Sequence, residues 1–136
     1  MSNRNVVNIL WFDELHREDV NLVGGKSSSL GEMTSSMNIP VPYGFATTAH
    51  AYRYFMSATG TNDKVNALLE GIKDYEDSEE LHSTCKKIRS LIIDAKMPDD
   101  LAKDIELSKK VEQKAPFVAI RSSATAEDLP NASFAG

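Results

Sequence analysis

Charge and glycine occupy different parts of this chain, and that separation constrains its fold more than any other feature. Residues 61–114 carry ten basic and thirteen acidic side chains but a single glycine. Residues 1–60 carry five of the seven glycines and only nine charges. Many charges with almost no glycine are typical of solvated helices, whereas glycine is favoured at tight turns and close backbone approaches. We therefore expect helices in the middle of the chain and the chemistry in its two flanks.

Composition sets the class of protein. With 136 residues, 41% of them hydrophobic, and a formal net charge of -5, the chain fits a globular protein with one core of ordinary size. The acidic balance argues against a general nucleic-acid binder, which needs a basic face. No apolar run approaches the ~20 residues of a membrane span, Cys85 has no disulfide partner, and the N-terminus lacks a secretion signal. We expect a cytoplasmic protein that binds neither nucleic acid nor membranes.

The first flank contains a glycine pair at a predicted helix start. A strand is predicted over Val6–Phe12, and a helix begins at Gly24-Gly25, with an apolar stripe of Leu30, Met33 and Met37 and a stop at Pro40. Backbone N–H groups at a helix start bind anions, and Lys26 adds a positive charge in the first turn. The residue five before Gly25 is Val20, so the segment is not the P-loop pattern. A phosphate site and a plain capped helix both remain open.

Further elements follow from capping residues and periodicity. Gly44–Thr48 predicts a short strand, and Thr48 caps a helix over 49–58 that ends at Gly60. The inward residues of that helix are predicted to be Ala51, Tyr52 and Phe55. A short apolar face follows at Val65, Leu68, Leu69 and Ile72. Ser78 is predicted to cap a longer helix with the stripe Leu81, Cys85, Ile88, Ile92 and Ala95, which makes Cys85 a core thiol. Pro98 opens another helix carrying Leu101, Ile105 and Val111.

The last flank contains the second candidate for chemistry. Residues 116–121 form an apolar run suited to a buried strand, and Arg121 at its end is placed to bind a phosphate with two hydrogen bonds. The alternative is that Arg121 pairs with Glu127 or Asp128 and holds a loop. Small residues around Phe134 predict either a flap over a ligand or an ordinary turn. The histidines, at positions 16, 50 and 82, have no metal-ligand spacing.

Taken together, several segments resemble a known family. They are Leu10–Leu15, Val23–Lys26 with Ser29–Met33, Pro42 with Gly44–Thr48, Ile120–Pro130 and Ala132–Gly136. In this order they are similar to the start of the phosphoenolpyruvate synthases (pyruvate, water dikinases), which belong with pyruvate phosphate dikinase among the phosphoenolpyruvate-utilising enzymes. The resemblance runs from about residue 9 to the last residue, while 61–114 matches only as helices of suitable length.

The resemblance implies a fold and a site. The fold is α/β (α+β), the first subdomain of an ATP-grasp-type nucleotide-binding domain, with a short mixed sheet flanked by several helices over residues 1–136. Lys26 and Arg121 match residues that contact the ATP phosphates, near the helix start at Gly24 and Gly25. The phosphate-covering loop begins at Ser133, Ala135 and Gly136, so the chain is expected to stop inside that loop.

The resemblance also implies a reaction for a longer enzyme. ATP, pyruvate and water become AMP, phosphoenolpyruvate and phosphate through a phosphorylated histidine, with Mg²⁺ as a further cofactor and a homodimer as one expected assembly. The phosphohistidine, the Mg²⁺ ligands and the pyruvate-binding domain are expected outside these residues, so this chain alone is expected to be inactive. A rifampin phosphotransferase fragment and a short, non-catalytic protein that binds a nucleotide or a partner are the alternatives. The opening Trp11–Leu15 favours the synthase over the rifampin enzyme.

Overall fold

The computed structural model of the chain describes residues 4–106 and 117–125. The described residues form six α-helices and two strands, with three short 3-10 helices before the first α-helix. The strands are β1 (Ile9–Trp11) and β2 (Phe45–Thr47). The helices are α1 (Val20–Val23), α2 (Gly25–Ser35), α3 (Ala49–Ala58), α4 (Thr61–Glu70), α5 (Ser78–Asp94) and α6 (Asp99–Glu106). Two compact units can be separated, one holding the residues up to Tyr52 and from Asp100 onward, the other Arg53–Asp99.

The sheet of the first unit is small. Within the described ranges, β1 pairs with β2 in antiparallel register, with Leu10 opposite Ala46 and Trp11 opposite Phe45. Leu10 and Ala46 lie opposite each other, so their side chains face the same side of the sheet, and both are buried. The predicted strand over Val6–Phe12 is therefore too long. Its first residues are held instead by Thr48, whose hydroxyl donates to the Val7 carbonyl at 2.6 Å and whose N–H donates to the Asn8 carbonyl at 3.0 Å.

Helix α2 packs through small residues, which the predicted stripe did not anticipate. Its buried positions are Gly25, Ser27, Ser28 and Gly31. A Cβ on Gly31 would lie 2.9 Å from the backbone carbonyl of Leu15, a residue that is fully buried. Backbone thus approaches backbone here, so the bulky Leu30 and Met33 are only half-buried and Met37 is exposed beyond the helix end. The core of this unit is Leu10, Leu15, Val23 and Ala46.

The end of α2 also differs from its prediction. The helix stops at Ser35, five residues before Pro40. Asn38 adopts a left-handed conformation (φ 51°), and the Ile39 N–H donates back to the Met33 carbonyl at 2.9 Å. A left-handed residue after the last turn is a common way of ending a helix. The stop predicted at Pro40 is therefore made by Asn38.

Helix α3 confirms the predicted cap and bounds. The Thr48 hydroxyl accepts the Ala51 N–H at 3.1 Å, and Gly60 follows the helix with φ 66°. The predicted inward face is partly wrong, because Tyr52 is 59% exposed while Ala51 and Met56 are buried. Phe55 is half-buried. The buried stripe thus continues to Met56 and leaves Tyr52 on the solvent side.

The second unit is built on α4 and α5, which pack against each other. Asp77 rather than Ser78 caps α5, because its carboxylate accepts the N–H groups of Glu79 and Glu80 at 2.9 and 3.2 Å. Cys85 is exposed, so the prediction of a core thiol is wrong. The helix buries Thr84 instead. The other members of the predicted stripe, Leu81, Ile88, Ile92 and Ala95, are half-buried, as is Leu91.

The remaining predictions concern residues after Pro98. Helix α6 begins directly after Pro98 and buries Leu101, as predicted, whereas Val111 lies outside the described residues. The predicted buried strand over 116–121 is wrong in its described part. Residues 117–120 are irregular, with Phe117 90% and Ile120 95% exposed. An apolar run is buried as a strand only between neighbours, and the two described strands pair with each other. The described sheet is accordingly antiparallel rather than mixed.

Candidate phosphate site

The predicted glycine turn at Gly24–Gly25 lies between α1 and α2. Gly24 has φ 82° and ψ 164°, a conformation that residues with a side chain rarely adopt, and Gly25 is the first residue of α2. The predicted helix start is thus confirmed. Lys26 follows in the first turn of the helix and is exposed. Its neighbours Ser27 and Ser28 are buried, so the helix faces the core and Lys26 faces solvent.

The segment Arg121–Thr125, here called the arginine segment, lies against this turn. The Ser123 hydroxyl donates to the Val23 carbonyl at 2.7 Å and accepts the Ser27 N–H at 3.3 Å. The Gly25 N–H points to the Ala124 carbonyl at 3.4 Å. Two segments about 100 positions apart in sequence are therefore joined around Lys26. Sequence reasoning named both segments, but nothing in their spacing showed that they meet.

Gly24 is required for this contact as well as for its own backbone conformation. A Cβ at Gly24 would overlap the Ser123 hydroxyl and lie 2.8 Å from the Ala124 nitrogen. The close approach that glycine permits is therefore made by the chain itself. The N–H groups of Gly25 and Ser27, which the helix leaves without an intrahelical acceptor, already face Ala124 and Ser123.

The predicted cations of the candidate site are Lys26 and Arg121. Both side chains are exposed, and Arg121 has no ion pair or side-chain hydrogen bond with any residue in 4–106 or 117–125. The alternative partners of Arg121, Glu127 and Asp128, lie outside the described residues. Two cations on joined segments suit an anion with several oxygens, such as a phosphate chain.

Comparison with known proteins places the chain in a family. Residues 20–136 match the family described as pyruvate phosphate dikinase, AMP/ATP-binding domain. The chain belongs to this family. The match includes Lys26, the glycine turn and the arginine segment, so the site described above lies inside the AMP/ATP-binding domain.

Three of the similar proteins are named as phosphoenolpyruvate synthases or probable phosphoenolpyruvate synthases. The chain is 50% identical over 135 residues to a probable phosphoenolpyruvate synthase of Staphylothermus marinus, covering 94% of this chain and 16% of that protein. It is 48% identical over 133 residues to a probable phosphoenolpyruvate synthase of Methanocaldococcus jannaschii, covering 94% of this chain and 11% of that protein. It is 43% identical over 136 residues to the phosphoenolpyruvate synthase of Aquifex aeolicus, covering 94% and 16%. The resemblance seen in the motifs is confirmed, and the chain spans less than a fifth of these relatives.

Two motif residues of this chain, Glu32 and Glu14, have structural roles that sequence reasoning missed. The Glu32 carboxylate accepts the Arg17 N–H at 2.9 Å, and the Glu14 carboxylate accepts the Trp11 N–H at 2.9 Å. The Ser35 hydroxyl donates to the Leu15 carbonyl at 2.8 Å. The opening motif and the motif after Lys26 are therefore adjacent in the fold.

An ion pair between the exposed Arg4 and the buried Asp19 holds the segment that leads to the candidate site. The Arg4 guanidinium binds both Asp19 oxygens, at 3.1 and 2.8 Å, and donates to the Glu14 carbonyl at 2.7 Å. Asp19 is 5% exposed and also accepts the His16 N–H at 2.9 Å. Asp19 directly precedes α1, so this pair anchors the start of the helix that ends at the glycine turn. The only sequence signal for it is an acidic residue immediately before a helix.

The remaining predictions concern the covering loop, a metal ion and the membrane. Ser133, Ala135 and Gly136 lie outside the described residues. Within 4–106 and 117–125, no group of three or more His, Cys, Asp or Glu side chains is arranged to hold a metal ion. In the same ranges, no helix combines the length and apolar character needed to cross a membrane.

Proposed function

We propose that this chain is the N-terminal ATP-binding part of a longer phosphoenolpyruvate synthase. The whole enzyme would convert ATP, pyruvate and water to AMP, phosphoenolpyruvate and phosphate through a phosphohistidine. The observation that carries the proposal is 43–50% identity, over 94% of this chain, to three proteins named as such synthases. Membership of an AMP/ATP-binding domain family supports ATP as the ligand of this part.

In this proposal Lys26 and Arg121 contact the ATP phosphates beside the Gly24–Gly25 turn. Phosphoryl transfer depends mainly on positioning the phosphates and neutralising their charge. The Ser123 contacts support the proposal, because they join the two segments that carry these cations. Ser133, Ala135 and Gly136 would begin the loop that covers the phosphates.

The rest of the proposal concerns the longer protein. We infer that residues 1–136 form the first subdomain of an ATP-grasp-type domain and that the phosphohistidine and pyruvate-binding domains lie elsewhere. Magnesium accompanies ATP in the proposal, with ligands expected outside this chain, and we expect a cytoplasmic enzyme that forms a homodimer. The isolated 136-residue chain is expected to bind ATP weakly or not at all and to be inactive, because it would supply only one side of the cleft.

The test is an assay of AMP formation by the full-length protein, expressed from a reading frame as long as those of the relatives. We expect AMP formation from ATP that depends on pyruvate, with phosphoenolpyruvate and phosphate as the other products. AMP formation that requires rifampin instead of pyruvate would assign the chain to a rifampin phosphotransferase. A gene that ends naturally at codon 136 would favour a short, non-catalytic binding protein.

A further inference from the structure

The Ser123 hydroxyl bridges the two sides of the glycine turn. It donates to the carbonyl of Val23, the last residue of α1, and accepts the N–H of Ser27, in the first turn of α2. Helix termini leave such backbone groups without intrahelical partners. A hydroxyl can donate and accept at once, so one side chain satisfies groups on both sides of Lys26.

The same side chain lies two residues after Arg121. The backbone next to it, at Ala124, fills the space where Gly24 would carry a Cβ. The arginine segment is otherwise exposed at Arg121 and Ser122, while Ser123 is half-buried. Of this segment, Ser123 therefore makes the side-chain contact that fixes it to the turn carrying Lys26.

We propose that Ser123 is a positioning residue of the phosphate site, whose hydroxyl sets the separation of Lys26 and Arg121. The inference rests on the proposed function, because it assumes that these two cations contact the phosphates of ATP. In this role Ser123 does not touch ATP. Ser123 lowers the entropy cost of ordering Lys26 and Arg121 around one polyanion, because the positions of the two segments are fixed before ATP binds.

The first experiment is Ser123→Ala in the full-length protein, with ATP affinity and thermal stability measured together. Ser35→Ala is the matched control, because the Ser35 hydroxyl also donates to a backbone carbonyl, on the same helix but away from the turn. Preorganisation worth about 1 kcal/mol, the size of one hydrogen bond, corresponds to about fivefold weaker ATP binding when it is lost. We expect this loss in Ser123→Ala, little change in Ser35→Ala, and recovery in Ser123→Thr, which keeps the hydroxyl.

The second experiment separates positioning from general stability by double-mutant cycles. If Ser123 acts through the two cations, its effect on ATP affinity shrinks towards zero in the Lys26→Ala and Arg121→Ala backgrounds. An effect that persists in full in both backgrounds, or that equals that of Ser35→Ala, would overturn the inference while leaving the proposed function intact. Unchanged ATP affinity in both Lys26→Ala and Arg121→Ala would instead remove the proposed phosphate site, and this inference with it.

Discussion

The two units of the chain are packed by different means. In the first unit, backbone lies directly against other groups, with Gly31 on Leu15 and Gly24 on Ser123 and Ala124. In the second unit, α4 and α5 pack through half-buried side chains, and Gly71 has only ordinary contacts at 3.4 Å or more. Side-chain packing tolerates change better than contacts in which no side chain fits. The candidate site therefore belongs to the unit whose geometry is the less tolerant of substitution.

The largest effect is expected when cationic side chains of the two units are replaced by alanine and the loss of ATP use is compared. Lys26→Ala and Arg121→Ala should each weaken ATP use by about 10- to 150-fold, since hydrogen bonds to charged groups contribute about 1.5–3 kcal/mol. Lys86→Ala and Lys87→Ala, at exposed positions of α5, should change it by less than about twofold. Pyruvate-dependent AMP formation at varied ATP measures both pairs. Equal losses in the two pairs would show that overall charge, not the site, governs the interaction with ATP.

The next effect compares two glycines by their tolerance of a methyl group. Gly31→Ala should destabilise the first unit by about 3 kcal/mol, because the new Cβ meets the Leu15 backbone. Gly71→Ala should be neutral or stabilise by up to about 1 kcal/mol, because Gly71 has φ -77° and a Cβ there would make only ordinary contacts. Urea unfolding followed by the fluorescence of Trp11 and by far-ultraviolet circular dichroism measures both. A neutral Gly31→Ala would refute the close packing of α2 on Leu15.

This contrast explains what the sequence could predict. Capping residues and periodicity located α3, α5 and α6, because helix ends are set by neighbouring residues in the chain. The predicted inward faces were less accurate, since Tyr52 and Cys85 are exposed. Whether a helix residue is buried depends on which neighbouring element packs against that face. The periodicity of the sequence is also satisfied by a stripe that is shifted by one residue.

The candidate site was predictable in its parts but not in its assembly. Lys26 and Arg121 were found from a helix start and from an arginine after an apolar run, and the family resemblance linked them. The hydrogen bonds between Ser123 and the glycine turn join residues that are 96 and 100 positions apart in the sequence, and no local sequence pattern predicts such a contact. The irregular backbone at 117–120 was missed for the same reason, because a strand forms only where a neighbouring strand is available.

A third comparison concerns the ion pairs of the two units. The Arg4–Asp19 pair has side-chain exposures of 42% and 6%, whereas Lys96 and Asp99 are 89% and 84% exposed and 3.9 Å apart. Arg4→Gln should cost about 2 kcal/mol, because it leaves the buried Asp19 charge without its partner, although solvent reaches Arg4 and limits the loss. Lys96→Gln should leave stability unchanged within error, since exposed pairs contribute little. The urea midpoints of the two variants test this prediction. Equal losses of stability would show that the greater burial of Asp19 does not strengthen its ion pair.

The smallest effect tests whether the second unit also depends on a specific side chain, at the start of α5. Asp77→Ala should cost about 1 kcal/mol, because the N–H groups of Glu79 and Glu80 lose their acceptor. Ser78→Ala is the matched control and should be close to neutral, since Ser78 is already inside the helix. Urea unfolding followed by circular dichroism at 222 nm (a probe of helix content) measures both variants. A larger loss from Ser78→Ala would restore Ser78 as the cap, and it would mean that residue type and position alone had located this helix start correctly.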